Sequence, residues 1–520
     1  MKVALDVVLA LAVVAAYAAQ MLRWLRVLQR EHYEPGSLSR FLGRWTSPQV
    51  GRAQRAVHDH GRRPITLSHV MIVALVLTVI LRADVAAVLV TIAYGLTCPV
   101  GLSIKGRTSA LHWTRRAVTI TVVATVVVMA LVAAGAFSPR PWLVAIAMVW
   151  AVPVALDLTT RALAPYERRR AQVYVEQAAS RLARVAPRVV AITGSYGKTS
   201  TKNHLADLLG GDGVVASPRS FNNRAGLSRA INENLADGTR IFIAEMGTYG
   251  PGEIRDLASW CVPEIAVVTA IGPVHLERMK TIEVIDQAKF EVTERASTVV
   301  VNVDDPRLAL WPSRLAGSKR VRTAGSATDA ASVRVVPDAE RWVVVVDGVR
   351  VGSLDAVVGV QPTNLACAIA AALELGVPAD ELIRRARAVA PVANRSNVVT
   401  APSGVVVIDD TFNANPASAA AAVNLLSSLV LTGRRVVVTP GLIELGRDQY
   451  PQNLALSRKI AALGEELVVV NRTNAVALSK GFDKAVRRFD ARAQAVAWVR
   501  ESLVAGDGVL YLNDLPDHYP

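Results

Sequence analysis

The first third of the chain is a series of apolar runs, whereas the remainder alternates short β-branched runs with amphipathic ones. An apolar helix needs about 20 residues to cross a bilayer. Runs that approach or reach this length cover residues 3–21, 64–81, 85–103, 117–137 and 141–156. The pattern predicts an α-helical transmembrane region over residues 1–160 with about five spans. Re-entrant hairpins are the alternative for the two tightly spaced pairs.

Basic residues decide the orientation that we predict for these spans. The segment after the first run contains nine arginines between positions 23 and 63, and further basic clusters follow the third and fifth runs. Positively charged loops stay in the cytoplasm. We therefore expect an outside N-terminus and a multi-pass protein of the bacterial cytoplasmic membrane, with everything after the last span facing the cytoplasm. About +13 of the formal net charge of +15 lies before residue 171, so the high pI does not indicate nucleic-acid binding.

The remaining two thirds of the chain have the pattern of α/β domains. Residues 161–187 are rich in Arg and Ala, and we predict an amphipathic connector there, near the membrane surface. From residue 188 strand-like runs alternate with helix-like ones, which is typical of a doubly wound, largely parallel sheet. We predict a central domain at 188–395, with a β-rich insertion or lobe near 302–358, and a smaller Rossmann-like domain at 396–520.

A glycine-rich loop provides the first candidate chemistry, since residues 191–202 read AITGSYGKTSTK between a strand-like and a helix-like run. The spacing is shorter than the usual G-x4-GK-[ST] form. Glycines let backbone N–H groups curl around a phosphate at a helix N-terminus. Lys198 is then predicted to reach the β- and γ-phosphates of ATP, and the Thr199 hydroxyl to coordinate Mg2+. The residues assigned to the nucleotide are Gly194, Ser195, Gly197, Lys198, Thr199 and Ser200.

Eight motifs in order extend this assignment to the rest of the chain. They are TGSYGKTSTK, SFNNRAGLS, AEMGTYGPGEI, VTAIGPVHLERM, AKFEV, NR at 394–395, DDTFNANPAS and PGLIELG. Together they resemble the Mur ligase family, most closely its MurF branch, which joins D-Ala-D-Ala to UDP-MurNAc-tripeptide. The resemblance covers roughly residues 188–520. It implies a Mur-ligase-type central P-loop ATPase domain followed by a C-terminal α/β domain.

The resemblance also implies an activity and a set of site residues. The activity is an ADP-forming amide ligase, in which ATP phosphorylates a carboxylate and an amine attacks the acyl-phosphate. Thr199, Glu245 and His275 match the Mg2+ ligands, and Lys289 matches a lysine that many members carry as a carbamate and that contacts metal. Asn364 and Arg395 match positions that face the nucleotide, with Arg395 neutralising the γ-phosphate. Further nucleotide contacts are assigned to Asp410, Asn413 and Asn415.

Three departures from the family pattern concern the first substrate. Membrane runs occupy the place of the uridine-nucleotide domain, the segment 358–363 lacks an expected histidine, and Arg395 lies in ANRSN rather than after glycine. We expect a carboxylate substrate that is lipid-linked, polymeric or UDP-linked, and an amino-acid or dipeptide amine. Membrane lipid and other membrane proteins of envelope synthesis are the expected partners, and nucleic acid is not.

Two alternatives to a membrane-tethered MurF-like ligase stay open at this point. One is a polyamino-acid ligase resembling the poly-γ-glutamate synthases, which also combine a Mur-type ATPase core with an N-terminal membrane segment. The other is a transporter or exporter whose ATPase drives movement through the spans. Few ionisable residues lie in the apolar runs to line a polar path, which disfavours transport.

Overall fold

The computed structural model describes residues 2–39, 41, 67–99, 102, 104, 110–135, 137, 140–218, 221–338, 340–391, 397–411 and 414–514. The chain divides into two compact units, Met1–Arg169 with Leu515–Pro520, and Arg170–Asp514. The helices of the first unit include α1 (Lys2–Arg30), α2 (Leu67–Ile80), α3 (Asp84–Thr97), α4 (Arg115–Gly135), α5 (Pro141–Trp150) and the first part of α6 (Val152–Val185).

Two helices of the first unit, α1 and α4, are long and apolar enough to cross a membrane. Helices α5 and α6 add a third if the pair, bent by 71°, is counted as one span. The other two predicted spans correspond to α2 and α3, of 14 residues each. At 1.5 Å per residue such a helix is about 21 Å long, shorter than the ~30 Å hydrocarbon layer. The length of α3, whose two ends both lie within the described residues, thus matches the re-entrant alternative better than a full span.

Polar side chains of α1 hold the end of α3. Gln20 Nε2 donates to the Cys98 carbonyl (2.7 Å), and Arg23 Nη1 donates to the Gly95 carbonyl (2.6 Å). Gly95 lets α3 lie this close to α1, because a Cβ at position 95 would be only 2.5 Å from the Ala16 Cβ. The last carbonyl groups of a helix have no partner within the helix. Both side chains are buried, and they supply those partners where α3 ends.

The second unit contains two sheets. The elements of its first part are β1 (Arg188–Thr193), α7 (Lys198–Leu209), β2 (Val214–Ala216), α8 (Arg224–Asn234), β3 (Ile241–Glu245), α9 (Glu253–Trp260), β4 (Ile265–Val268), α10 (Leu276–Met279), α11 (Ile282–Phe290), β5 (Thr298–Asn302), α12 (Trp311–Leu315), β6 (Arg320–Gly325), β7 (Val333–Asp338), β8 (Arg341–Val346), β9 (Val349–Asp355), α13 (Pro362–Glu374) and α14 (Ala379–Ala386). Its strands form one sheet in the order β2-β3-β1-β4-β5-β6-β7-β8-β9.

This nine-stranded sheet confirms the α/β prediction and corrects one detail of it. Strands β1 to β6 are parallel, and β7 continues in parallel beside β6 before β8 and β9 turn back as antiparallel neighbours. The β-rich part near 302–358 is therefore an extension of the same sheet rather than a separate lobe. Buried clusters cover both faces of the sheet, with Ile192 and Ile369 on one side and Phe242 and Trp311 on the other.

The second sheet belongs to the C-terminal part of the chain. Its elements are β10 (Asn397–Thr400), β11 (Val406–Asp410), α15 (Pro416–Ser428), β12 (Arg435–Thr439), α16 (Gln449–Ala462), β13 (Glu466–Val470), α17 (Ala475–Gly481), β14 (Arg487–Phe489), α18 (Arg492–Ser502) and β15 (Gly508–Leu512). The strand order is β10-β11-β15-β12-β13-β14, parallel except for β10. This agrees with the predicted smaller Rossmann-like domain.

A buried carboxyl group in this domain makes its stability depend on pH. Glu465 is 1% exposed, and neither of its carboxyl oxygens has a hydrogen-bond partner among the described residues. Burial raises the pKa of Glu465 to about 7, although Arg435 and Lys459 pull it down in part. The unfolded chain releases this proton near the ordinary value of 4.5 and the folded chain retains it. Stability is therefore lost as the pH rises through the range between these values.

We expect Glu465→Gln to remove this pH dependence. We measure the free energy of unfolding by urea titration of the full chain. The difference between Glu465→Gln and the wild type should increase by about 2 kcal/mol, in favour of the variant, as the pH is raised from 5 to 8. Glu466→Gln is the matched control, because its carboxylate pairs with Arg434 (2.7 Å) and is half-exposed. The prediction would be contradicted if the difference in free energy of unfolding between the wild type and Glu465→Gln stayed constant over this pH range.

Candidate active site

The glycine-rich loop lies between β1 and α7 and is fixed by close contacts. Gly197 has φ +83°, and a Cβ on it would lie 2.4 Å from Asn364 Oδ1. A Cβ on Gly194 would lie 2.0 Å from Thr269 Oγ1. The Lys198 Nζ donates to the Gly194 carbonyl at 2.6 Å, so the ammonium group lies across the loop. The structure thus places Asn364 against the loop, and the nucleotide contact assigned to Asn364 stays a prediction.

Strand β4 supports the loop from the neighbouring position in the sheet. The Ser195 N–H donates to the Ala270 carbonyl (2.8 Å), and its hydroxyl bonds both the carbonyl (3.0 Å) and the N–H (2.9 Å) of Gly272. Thr269 Oγ1 donates to the Tyr196 carbonyl at 2.5 Å. Ser195 therefore positions the loop through its side chain. Ser200 lies in the first turn of α7, and its hydroxyl forms no hydrogen bond with another side chain among the described residues.

A carboxylate closes the site at the end of β3. Glu245 accepts hydrogen bonds from Thr199 Oγ1 (3.0 Å) and Asn222 Nδ2 (3.2 Å). It also forms an ion pair with Lys202 Nζ (3.0 Å). Burial alone would raise the pKa of Glu245. The positive charges of Lys202 and Lys198, with the hydrogen bonds of Lys202 and Asn222, outweigh it and lower the pKa. Glu245 is thus held as an anion beside the Thr199 hydroxyl.

Two members of this group, Lys202 and Asn222, are absent from the sequence prediction. Lys202 is 2% exposed, unusual for a lysine unless it is paired. Its spacing of four residues from Lys198 places both lysines on one side of α7. That spacing, together with the Asn pair in SFNNRAGLS, was the available signal in the sequence.

His275 lies at the start of α10 and contacts the C-terminal domain. Its Nδ1 lies 2.5 Å from Glu444 Oε2, and its ring packs against Tyr249 with centroids 4.6 Å apart. The guanidinium of Arg278 covers the same tyrosine ring at 4.5 Å. The backbone of His275 is left-handed, with φ +53°. The predicted ligand therefore lies at the contact between the two α/β domains.

Lys289 is a buried amine on α11. Its side chain is 3% exposed, and no hydrogen bond or ion pair is formed by its Nζ within the described residues. Burial, and then the positive charge of Lys198, lower the pKa of Lys289 well below its ordinary value. The lowered pKa favours the uncharged amine, which is the nucleophilic form that reacts with CO2 to give a carbamate.

The C-terminal residues of the predicted site have different outcomes. Asp410 ends β11 and is 6% exposed, and its carbonyl accepts the Asn513 N–H at 3.0 Å. Asn415 is instead the N-cap of α15, where its Oδ1 accepts the N–H groups of Ala417 and Ser418 (3.0 Å each). The Asn415 side chain thus caps α15, and the nucleotide contact assigned to it stays a prediction. Arg395 and Asn413 lie outside the described residues.

A cavity of about 380 Å³ adjoins the glycine-rich loop at Tyr196. It is lined by polar residues at the end of β5, including Asn302, Asp304 and Asp305. Asp305 accepts the Ile271 N–H at 2.7 Å and so ties β5 to the segment that follows β4. The sequence prediction missed this group, although the run NVDDP follows a buried strand and marks the ligand-binding edge of the sheet.

The donors at Glu245 fit a hard divalent cation. The Thr199 hydroxyl and the Glu245 carboxylate are oxygen donors 3.0 Å apart, of the kind that Mg2+ prefers. Within the described parts of the chain, no three His, Cys, Asp or Glu side chains form a group that could hold a metal ion. A cation here would therefore draw on the hydroxyl, the carboxylate and the nucleotide phosphates, as in other phosphate-binding loops.

Comparison with known proteins agrees with this architecture. Residues 192–372 match the profile of the Mur ligase middle domain, and residues 394–512 that of the Mur ligase, glutamate ligase domain. The UDP-N-acetylmuramoyl-tripeptide–D-alanyl-D-alanine ligase of Mycobacterium leprae is 32% identical over 317 residues, which are 54% of this chain and 60% of that protein. Its Mycobacterium tuberculosis counterpart is 33% identical over 296 residues, 54% and 58% of the two chains.

Solved structures show the same fold. MurF from Thermotoga maritima in complex with ADP has a TM-score of 0.58 at 24% identity, over 66% of this chain and 80% of that one. MurF from Acinetobacter baumannii has a TM-score of 0.58 at 23% identity, over 66% of this chain and 77% of that one. The fold and site define a phosphate-binding-loop protein with two α/β domains, and the chain belongs to the Mur ligase family. It spans about 60% of the length of the mycobacterial relatives.

Proposed function

We propose that this protein is an ADP-forming amide ligase of the MurF type that acts in the synthesis of peptidoglycan or a related envelope polymer. The observation that carries this proposal is the meeting of Lys198, Thr199 and Glu245 at one edge of the sheet, with the buried Lys289 amine close enough to Lys198 for its charge to lower the Lys289 pKa. The mycobacterial relatives are named as ligases of D-alanyl-D-alanine to a UDP-linked muramoyl tripeptide.

The proposed reaction has two steps. The γ-phosphoryl group of ATP moves to a carboxylate oxygen of the first substrate, and ADP leaves. The amine of the second substrate then attacks the acyl carbon, the C–O bond to phosphate breaks, and the amine loses a proton as the amide forms. Such a reaction depends on positioning and on neutralisation of phosphate charge. Lys198 supplies one fixed positive charge, and Arg395 is proposed as a second.

The metal site is proposed at Thr199 and Glu245, with His275 and carbamylated Lys289 as further ligands. Mg2+ bound there would neutralise the phosphate oxygens and orient the phosphoryl group for transfer. Glu245 contributes a carboxylate that stays ionised because Lys202 and Lys198 lower its pKa. Lys289 would contribute a second anionic oxygen once carbamylated, and the adjacent charge of Lys198 favours an anion at that position.

The N-terminal region bears on the nature of the carboxylate substrate. The chain spans about 60% of its mycobacterial relatives, and its first 160 residues contain apolar helices with outward-facing side chains. Leu11 of α1 is 65% exposed and Val126 of α4 is 61% exposed, as expected of helix faces that contact lipid. We therefore propose a membrane-anchored ligase whose first substrate is carried by a lipid or by UDP, with the ligase domains in the cytoplasm.

We expect ATP hydrolysis to depend on both substrates. Purified full-length protein in detergent, with Mg2+ and ATP, should release phosphate only when a D-Ala-D-Ala dipeptide and a muramoyl-peptide acceptor are both present. The acceptor is supplied in one arm as the UDP-linked peptide and in the other as its lipid-linked form. Product mass then identifies the amide.

Three results would count against this assignment. Phosphate release with a single amino acid and a growing polymer would indicate a polyamino-acid ligase. Turnover that needs no amine would indicate a transport ATPase. Equal turnover with D-Ala-D-Ala and with L-Ala-L-Ala would contradict a MurF-type amine site, because such a site must distinguish the two stereochemistries.

A further inference from the structure

Glu444 belongs to the PGLIELG motif of the C-terminal domain, which the proposed reaction does not yet use. Its Oε2 lies 2.5 Å from His275 Nδ1, across the contact between the two α/β domains. The backbone adds a second contact, because the Glu277 N–H donates to the Glu444 carbonyl at 3.4 Å. The two side chains are 34% and 21% exposed, so water has limited access to the pair.

The loop that carries Glu444 is held by three buried asparagines. Asn453 Oδ1 accepts the Leu442 N–H (2.8 Å), Asn474 Nδ2 donates to the Pro440 carbonyl (3.0 Å), and Asn513 Nδ2 donates to the Gly441 carbonyl (2.7 Å). Such a network fixes a loop in one conformation, because each lost bond would leave a buried polar group unpaired. Glu444 is thus presented to His275 from a rigid support.

Both residues also have strained backbones. Glu444 has φ +62° and His275 has φ +53°, and left-handed conformations are uncommon for residues with a side chain. Strain of this kind persists only where the surrounding structure imposes it, and it is concentrated at functional sites. The hydrogen bond between Glu444 and His275 therefore joins two residues whose backbones are both held in an unfavourable conformation.

The chemistry of the pair decides which nitrogen of His275 can bind a cation. When Glu444 is ionised it only accepts hydrogen bonds, and a neutral His275 ring then donates to it from Nδ1. In the neutral ring Nε2 then keeps its lone pair. Metal-binding histidines generally donate their other ring N–H to a carboxylate or carbonyl in this way, which fixes the tautomer and the ring orientation.

We infer that Glu444 is a positioning residue for His275, which fixes the tautomer whose Nε2 binds the divalent cation. This inference rests on the proposed metal role of His275. Because the carboxylate comes from the other domain, His275 is a competent ligand only when the C-terminal domain occupies the position seen here.

The test measures Mn2+ affinity by electron paramagnetic resonance, with full-length protein and a non-hydrolysable ATP analogue. Glu444→Ala should weaken Mn2+ binding about tenfold, whereas Glu444→Gln should stay within about threefold because its amide oxygen still accepts the Nδ1–H. His275→Ala should weaken binding at least as much, and the double variant no more than His275→Ala alone. Glu466→Ala, an ion-paired glutamate at the opposite strand ends of the same domain, is the control for domain stability.

The outcomes separate this inference from the proposed function. Additive losses in the double variant would overturn it, since Glu444 would then act independently of His275. Unchanged Mn2+ affinity in Glu444→Ala, together with a loss in His275→Ala, would overturn it and leave the metal role of His275 intact. Unchanged affinity in His275→Ala would remove the metal role itself, and the inference with it.

Discussion

Lys198→Ala is expected to reduce ATP turnover by about 10³-fold, the typical cost of removing a fixed charge that stabilises a transition state. The ammonium group lies across the glycine-rich loop, 2.6 Å from the Gly194 carbonyl, and in the proposed reaction it contacts the β- and γ-phosphates. Alanine retains the helix but removes the charge. Phosphate release by the full-length protein, at saturating ATP and substrates, measures the effect.

Lys319→Ala is the matched control for this experiment. Lys319 belongs to the same domain but donates to the Glu294 and Ala296 carbonyls (3.2 and 2.7 Å), away from the loop. It should retain turnover close to that of the wild type. Turnover in Lys198→Ala within tenfold of the wild type, with an unchanged unfolding transition, would mean that the loop does not bind the phosphates of ATP.

Lys289→Ala is expected to be inactive, with a loss of about 10²-fold or more, because the proposed carbamate oxygen disappears from the metal site. Small carboxylic acids such as acetate should restore part of the activity, since they fit the space left by the side chain and replace the anionic oxygen. The structural basis for this expectation is the buried amine, which has no hydrogen-bond partner among the described residues, together with its lowered pKa.

Lys289→Met provides the matched control, because it fills the same space without an amine. Acetate should not restore its activity. A mass increase of 44 Da on the intact wild-type protein in bicarbonate, absent from Lys289→Met, would report the carbamate directly. Equal rescue of both variants, or rescue of neither, would leave Lys289 as an ordinary buried lysine.

The sequence predicted the α/β parts of the fold because their signals are local. A run such as RVVAIT, followed by glycines and then a helix with Lys and Thr in its first turn, fixes strand, loop and helix within a few residues. The same holds for Asp410 at the end of VVIDD. The β-rich part was detected for the same reason, but its membership in the main sheet depends on the pairing of β5 with β6, which is not local.

The membrane part shows where hydropathy alone is insufficient. Composition distinguishes an apolar run from a polar one, but it does not locate the residue where a helix ends. Helix α3 ends at Thr97, two residues before Pro99, and Gln20 and Arg23 of α1 donate hydrogen bonds to the carbonyl groups at this end. The apolar run at 85–103 is therefore longer than the helix that it forms.

By itself, the sequence determined the glycine-rich loop and the family, and it predicted through that family that Lys198, Thr199, Glu245, Asn364 and Lys289 belong to one site. Spacing and residue type carry that information along the chain. Only the tertiary structure decided that Lys202 neutralises Glu245, that Asn415 caps a helix, and that Glu444 meets His275. These contacts join residues up to 169 positions apart, and the packing of the sheets, rather than any local pattern, brings them together.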